Sequence, residues 1–451
     1  MFSKSKVLAL ILVLAFVLSA CAKTPTAAPT AAPVATEAAT EVATAAPTEA
    51  APVTLTFLVG ANQTDQDMNN ALADAYMKLH PNVTIEIEVG TAGTEGDNLV
   101  KTRLATGEMT DVFYYNSGSL MQALNPQETL VDLSQEPFMA NISDAFKPAV
   151  TSGEGIYGVP VGTAAGGGIL YNKKVFADNG IEVPTSWAEF EAAADKLKAA
   201  GIPPLIASFG DSWTAQILVL ADNYNVQTAY PTFAADYTAN KAKYADIPAA
   251  KAGFAHLQEG FDKGWYQPDF ATTKFDAALQ MLADGKGAMY PMLSFAIATI
   301  DTNNPGAGEN IGFFAIPAED GTKTGATLWM PLSVYIPKTT SNLEEAKKFV
   351  AFIASAEGAA AITEKVKPVG PYVINGAVLP DDVYPGVKDM AAYIEEGKAG
   401  PALEFVSPIK GPNLEQICVA VGSGQMTADE GAANYDQDVV KQAQQLGLEG
   451  W

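Results

Sequence analysis

Histidine and cysteine, the usual carriers of nucleophilic, proton-transfer and metal chemistry, occur only twice each in 451 residues. His80 stands beside Pro81 and His256 lies in an alanine-rich helical stretch, and both read as structural. Acidic residues are plentiful, 51 in all, so a carboxylate pair of the glycosidase kind could be drawn almost anywhere and looks the same as a solvated surface. Gly153-Glu154-Gly155-Ile156-Tyr157-Gly158 matches the dinucleotide fingerprint G-x-G-x-x-G, but that loop must open a helix. Here Val159-Pro160 follows, and a proline drives its predecessor out of helical geometry. There is no Walker loop either. The sequence thus nominates no catalytic residue, no metal ligand and no cofactor.

The elements available to position a site are of α/β type. Thr54 to Val59 reads as a strand, and Met68, Leu72, Tyr76 and Leu79 then recur at helical spacing until Pro81 stops them. Val83, Ile85, Ile87 and Val89 alternate with Thr84, Glu86 and Glu88 at period two, so a strand, a helix and a second strand imply parallel pairing. A helix over roughly 97–105 leads to a strand at Asp111 to Tyr115. A second set of units starts with the strand Ile169-Leu170-Tyr171 and a helix over Ser186 to Ala200. Ser186 and Glu189 form a capping box there, and Trp187, Phe190, Ala194 and Leu197 mark its apolar face. A second capping box, Ser341 with Glu344, opens a helix that buries Ala346, Phe349, Val350 and Ile353. No internal repeat is visible.

The N-terminal segment bears on compartment. Lys4 and Lys6 precede an unbroken apolar run from Val7 to Leu18, which at about 12 residues suits a secretory signal and falls short of the ~20 that span a bilayer. Leu18-Ser19-Ala20-Cys21 resembles the bacterial lipobox, so residues 1–20 are expected to be a lipoprotein signal peptide and Cys21 the acylated anchor. From Ala22 to about Val53 the chain is almost wholly Ala, Thr, Pro and Glu, too poor in large apolar residues to bury a core. Residues 21–53 read as an extended tether, at up to ~3.1 Å per residue. The roughly 400 residues that remain suit two domains. Their most apolar stretches, such as Ile217 to Ala221, are too short to span a membrane. If Cys21 is acylated, Cys418 has no partner and stability rests on packing. The net charge of −24 argues against a nucleic-acid partner.

LATGEMTDVF, EGIYGVPVG, ILYNKKVFADNGIEVPTSWAEFEAAADKLKAAGIPPL, LADGKGAMYPMLSF and VYIPKTTSNLEEAKKFVAFI follow one another in the order and at the spacing of the family 1 extracellular solute-binding proteins. The chain resembles that family, the sugar-binding components of bacterial ABC importers, over nearly everything after the tether. The resemblance implies an α/β, two-lobed periplasmic-binding-protein-like fold of type II, as in the maltose-binding protein, with hinge crossings and a ligand cleft between the lobes. Matching the motifs places one crossing near Thr163 to Gly168 and the other near Trp329 to Val334. The first lobe would take 54–165 plus 333–375, the second 168–330 plus 376–451. Gly166-Gly167-Gly168 suits a hinge, since glycine absorbs dihedral change at little steric cost, and suits a tight turn equally well.

The resemblance further implies a sugar or oligosaccharide ligand, the membrane subunits of an ABC permease as partner, a monomeric state and no enzymatic activity. A secreted carbohydrate-active enzyme and a sensory receptor of the same fold are the competing readings. Sugars need aromatic faces for their C–H surfaces and amides, carboxylates or hydroxyls for their hydroxyl groups, and in open α/β sheets these stand on loops after strands. Asn62, Gln63 and Asp65 follow the first strand, where the family's first-lobe contacts often lie, although helix capping would also account for Asp65. Asn116 and Ser117 follow Tyr115, with an ordinary polar turn as the alternative. Asp211 and Trp213 stand where the maltose-binding protein has a carboxylate and aromatic sugar contacts, although helix capping would equally suit Asp211 and core packing Trp213. Tyr290 and Phe295 fall in a motif that often ends in a stacking tryptophan, where Phe295 gives a weaker stack and Tyr290 either adds surface or is a buried strand residue. Trp329 lies at the second crossing, with interlobe packing as its alternative role. Trp187 is assigned to the core, and Trp265 and Trp451 read as structural.

Overall fold

The computed structural model describes residues 51–451; the signal segment, Cys21 and most of the tether lie outside them. Strand β1 (Val53–Val59) pairs in parallel with β2 (Val83–Val89), residue against residue from Val53↔Val83 to Val59↔Val89. The crossover is helix α1 (Gln63–Leu79). In β2, Val83 and Ile85 turn inward while Thr84 and Glu86 face solvent, which is how a strand with one covered face should read. Leu72 and Tyr76 bury the same side of α1, but Leu79 is 57% exposed, so the apolar spacing overruns the buried face by one residue. A second helix, α2 (Gly93–Thr106), ends on Gly107 in the left-handed conformation and returns the chain to β3 (Val112–Tyr115), parallel to β1.

The first sheet is completed by β4 (Gly158–Pro160) and by a strand from much later in the chain, β9 (Ser333–Tyr335), antiparallel to both β3 and β4. Its order is β2-β1-β3-β9-β4. The second sheet is centred on β5 (Ala165–Asn172), flanked by β6 (Met289–Leu293) and β8 (Ala326–Trp329), with β10 (Ala399–Pro401) beyond β8 and β7 (Ile311–Phe314) also pairing with β5. Each sheet has its own apolar core: Phe57, Phe113, Tyr335 and Phe349 in the first, Phe190, Trp265, Phe313 and Tyr290 in the second. The chain passes between these two lobes through 161–164 and 330–332, and again between Ile374 of one core and Val383 of the other.

Helix α3 (Trp187–Ala199) opens with the expected capping box, Ser186 and Glu189 each bonding the other's backbone N–H. The second expected box does not form. Helix Leu343–Ile353 starts later, with Asn342 at the cap and no side-chain bond. The Asn342 amide instead donates to the Thr54 carbonyl and to Asp111, tying the helix start to β1, and Glu345 accepts from the Tyr76 hydroxyl. The triple glycine is not a turn either. Gly166, Gly167 and Gly168 lie inside β5, outside the positive-φ region. A Cβ there would run into Met390, the Trp329 ring or the Phe314 carbonyl, so close packing demands the glycines. Trp187 and Trp265 are buried, and Trp451 donates its indole N–H to the Thr238 carbonyl. Among the described residues no helix is long and apolar enough to cross a membrane, and no group of three or more His, Cys, Asp or Glu could hold a metal ion.

Candidate functional site

A cleft of about 360 Å³ opens between the lobes. Two of the three passages between the lobes form its base, at Val161 to Thr163 and at Trp329 to Leu332. The first-lobe wall is built on β3, whose pleat sends successive side chains to opposite faces. Tyr114 therefore reaches one way and donates to Asp65 Oδ1 at 3.0 Å, while Tyr115 reaches the other and donates to Asp97 Oδ1 at 2.8 Å. Both carboxylates line the cleft, Asp65 from the first turn of α1 and Asp97 from the N-terminal half of α2.

Asn62 and Asp65 close the start of α1 on each other. The Asp65 backbone N–H donates to Asn62 Oδ1 at 2.8 Å, and Asn62 Nδ2 donates to Asp65 Oδ2 at 2.6 Å. Packing surrounds this carboxylate closely enough that a Cβ at Gly60 would collide with it. Burial pushes the Asp65 pKa up to about 6, held back by the hydrogen bonds from Tyr114 and Asn62. Gln63 points away, its amide on Asp67 at 2.7 Å, and does not line the cleft. Asn116 lines it, with its carbonyl held by the Tyr335 hydroxyl at 2.8 Å. Ser117 is buried outside the lining and donates to the Pro331 carbonyl at 2.9 Å, bracing the end of β3 against the second crossing.

On the second-lobe wall Trp213 is half-buried, its ring 5.1 Å from Phe275, which in turn lies 6.1 Å from Phe295. Trp213 and Phe295 thus face the cleft from one aromatic support. Trp329 adds a third face at the base, packed over Gly167. Asp211 and Tyr290 are not in the lining. Asp211 does act as a cap, but for helix Phe275–Ala283: it accepts from the Phe275 backbone N–H at 2.8 Å and pairs with Lys274 at 3.1 Å. Tyr290 is only 1% exposed, its hydroxyl 2.6 Å from Ser208 Oγ within the core.

Sequence reasoning passed over Asp97, Gln216, Lys367, Glu404, Lys410 and Glu415, all of which line the cleft. The alternation of β3 could have exposed the Tyr115 and Asp97 partnership; the others reach the cleft only through tertiary placement. The lining carries Asp65, Asp97, Glu404 and Glu415 against Lys367 and Lys410. Lys367 reaches Glu309 at 3.4 Å, and Glu415 accepts from Ser212 at 2.8 Å. The cleft is thus rich in hydrogen-bond acceptors and has few cations. At its rim the Thr64 and Thr299 hydroxyls meet across the lobes at 3.3 Å.

Residues 60–360 match the family model described as bacterial extracellular solute-binding protein. Over 315 residues, 67% of this chain and 71% of its relative, the sequence is 25% identical to the multiple sugar-binding protein of Streptococcus mutans. Among solved structures, a chitin oligosaccharide binding protein superposes with a TM-score of 0.75 at 23% identity, over 87% of this chain and 99% of that one. The solute-binding protein RafE in complex with raffinose gives 0.72 at 21% identity, with the same coverage. At such identities these likenesses speak for the fold, two α/β lobes of the type II arrangement.

Proposed function

The chain belongs to the bacterial extracellular solute-binding proteins, and from that membership we propose that it captures a sugar or oligosaccharide between its lobes and delivers it to the membrane subunits of an ABC importer. One observation carries the sugar reading: half-buried aromatic faces at Trp213, Phe295 and Trp329 look onto the same cleft as Asn62, Asp65 and Asn116 of the opposite lobe. Flat apolar surface beside planar amides and carboxylates is what a pyranose ring needs. The names of the relatives, a multiple sugar-binding protein and binders of chitin oligosaccharide and raffinose, support the same ligand class.

In this reading the lobes are 54–165 plus 333–375 and 168–330 plus 376–451, and they close on the ligand about the two crossings. Residues 1–20 direct export, acylated Cys21 anchors the protein at the outer face of the membrane, and 21–53 tether the monomeric body to it. Ligand passes through unchanged, with no catalytic step. A ligand shifts the open and closed forms only by its differential affinity for them, and at 100 times its dissociation constant it adds ~2.7 kcal/mol to stability. A melting screen of mono-, di- and trisaccharides should give a hit that also lowers the radius of gyration of the tether-free body in small-angle scattering. Turnover of that sugar would favour the enzymatic reading. A screen with no stabilising sugar would remove the carbohydrate proposal.

A further inference from the structure

We propose that Gln216 reads the bound sugar: its side-chain oxygen accepts a hydrogen from one ligand hydroxyl while its side-chain nitrogen donates to a neighbouring ligand oxygen. The inference rests on the carbohydrate reading above and identifies a specificity residue on the second-lobe wall.

Gln216 ends the tight turn Ser212–Gln216, three residues after Trp213. In a 3₁₀ turn, residues three apart stand over one another, and both side chains line the cleft. Gln216 is only 6% exposed, and its Oε1 is buried without a hydrogen-bond partner among the described residues. A buried acceptor left unpaired opposes folding. Nothing local requires it, because Ile217 and Leu220 continue the same wall with aliphatic side chains. The other buried polar atoms without partners, such as Asn69 Oδ1, Ser143 Oγ and Asn223 Oδ1, belong to residues outside the cleft lining. Among the described residues, then, Gln216 is the one cleft-lining residue that carries such an unmet atom.

The neighbouring chemistry sets what the amide reads. Trp213 presents an apolar face to the cleft, and a planar amide beside it offers an acceptor oxygen and a donor nitrogen, the complement of two adjacent sugar oxygens of which one carries a hydrogen. In the ligand-free form Oε1 has almost no accessible surface, and no side-chain hydrogen bond among the described residues holds the amide, so the amide turns to present the oxygen to the ligand. An acceptor so presented is satisfied by a hydroxyl, not by a carboxylate, which brings it no hydrogen.

The test uses raffinose, stachyose and N,N′-diacetylchitobiose as probes, and carries the one that most raises wild-type melting into calorimetry. Gln216→Met keeps length and volume and removes both polar atoms. The ligand-free variant should melt at or above the wild-type temperature, and its affinity for the probe should fall at least tenfold, one hydrogen bond's worth. In the wild type, the side-chain amide protons of Gln216 should shift in nitrogen-correlated NMR when the probe binds, a readout that does not depend on the variant folding. Unchanged affinity in Gln216→Met, or an unmoved amide signal in the wild type, overturns the assignment. A lower ligand-free melting temperature with intact affinity would make the amide part of the fold. Failure of all three sugars to stabilise the wild type would instead remove the carbohydrate reading on which the inference stands.

Discussion

The hydroxyl of Tyr114 donates to Asp65 Oδ1 across 3.0 Å, joining the middle of the first sheet to the first turn of α1 at the cleft wall. This contact holds a carboxylate in place at a cost. Burial raises the Asp65 pKa from 3.8 to about 6, so the folded chain binds that proton more tightly than the unfolded chain does. Ionised Asp65 therefore opposes folding at neutral pH, and the opposition fades as pH falls from above 6 toward 3.8.

Tyr114→Phe removes a bond that favours the charged form. The Asp65 carboxyl should then titrate above 6, as read by carbon NMR. The loss of stability should be about 1 to 3 kcal/mol at pH 8, where Asp65 is charged and keeps only the Asn62 amide as side-chain donor, and smaller at pH 5. Equal losses in chemical denaturation at the two pH values would mean that the hydroxyl contributes packing alone.

Two tryptophans should separate stability from binding. Trp187 is buried, lies parallel to His256 with ring centroids 3.4 Å apart, and donates to Glu259 at 2.8 Å. Trp187→Ala should cost about 3 to 5 kcal/mol of stability and leave the affinity of the folded fraction nearly unchanged. Trp213→Ala should weaken sugar binding by about 2 kcal/mol, some thirtyfold, with a smaller effect on ligand-free melting because one face of its ring already meets the cleft. Calorimetry and melting on both variants check this, and the reverse pattern would exchange their roles.

How much of this was legible in the sequence depends on the range of the interaction. The alternation of β2 and the apolar face of α3 were readable because one face of each element is covered and the pattern repeats locally. Asn62, Asp65 and Asn116 stand at strand ends, where a cleft was expected, and they line it. Tyr290 sits in a stretch with the composition of a site, but β6 is covered on both sides and the hydroxyl finds Ser208, 82 residues away. Ser117 meets Pro331 across 214 residues. No local period carries such pairings, nor the orphaned acceptor of Gln216.

The glycines of β5 distinguish packing from hinge freedom. A Cβ on Gly167 meets the Trp329 ring and, at 3.1 Å, Ala221, so Gly167→Ala should push the indole from its place at the base of the cleft. We expect a several-fold loss of affinity with about 1 to 3 kcal/mol of strain. A Cβ on Gly168 meets the Phe314 carbonyl, a backbone atom that cannot step aside. Gly168→Ala should therefore cost more stability than Gly167→Ala while sparing the affinity of the folded fraction. If both variants melt like the wild type and only ligand-induced compaction changes in scattering, dihedral freedom was the property that mattered.

His256 provides the last prediction, with the opposite sign to Asp65. Its ring is buried against Trp187, its Nδ1 has no partner among the described residues, and desolvation lowers its pKa from 6.5 to about 3 against the weaker pull of Glu191. A base whose folded pKa is depressed takes up its proton in the unfolded chain first, so its contribution is intact above 6.5 and is lost as pH falls toward 3. By pH 4.5 the loss should reach about 2 to 3 kcal/mol, at 1.36 kcal/mol per unit. Asp65, at about 6, and buried Asp222, at about 8, work in the other direction over parts of the same range, so the wild-type curve alone mixes the effects. His256→Phe keeps a ring against Trp187 and removes the titration. Denaturant unfolding from pH 7.5 to 4.5 should show the wild type losing stability relative to His256→Phe as the pH drops. Parallel curves would mean that the imidazole titrates alike in the folded and unfolded chain, the pull of Glu191 offsetting burial.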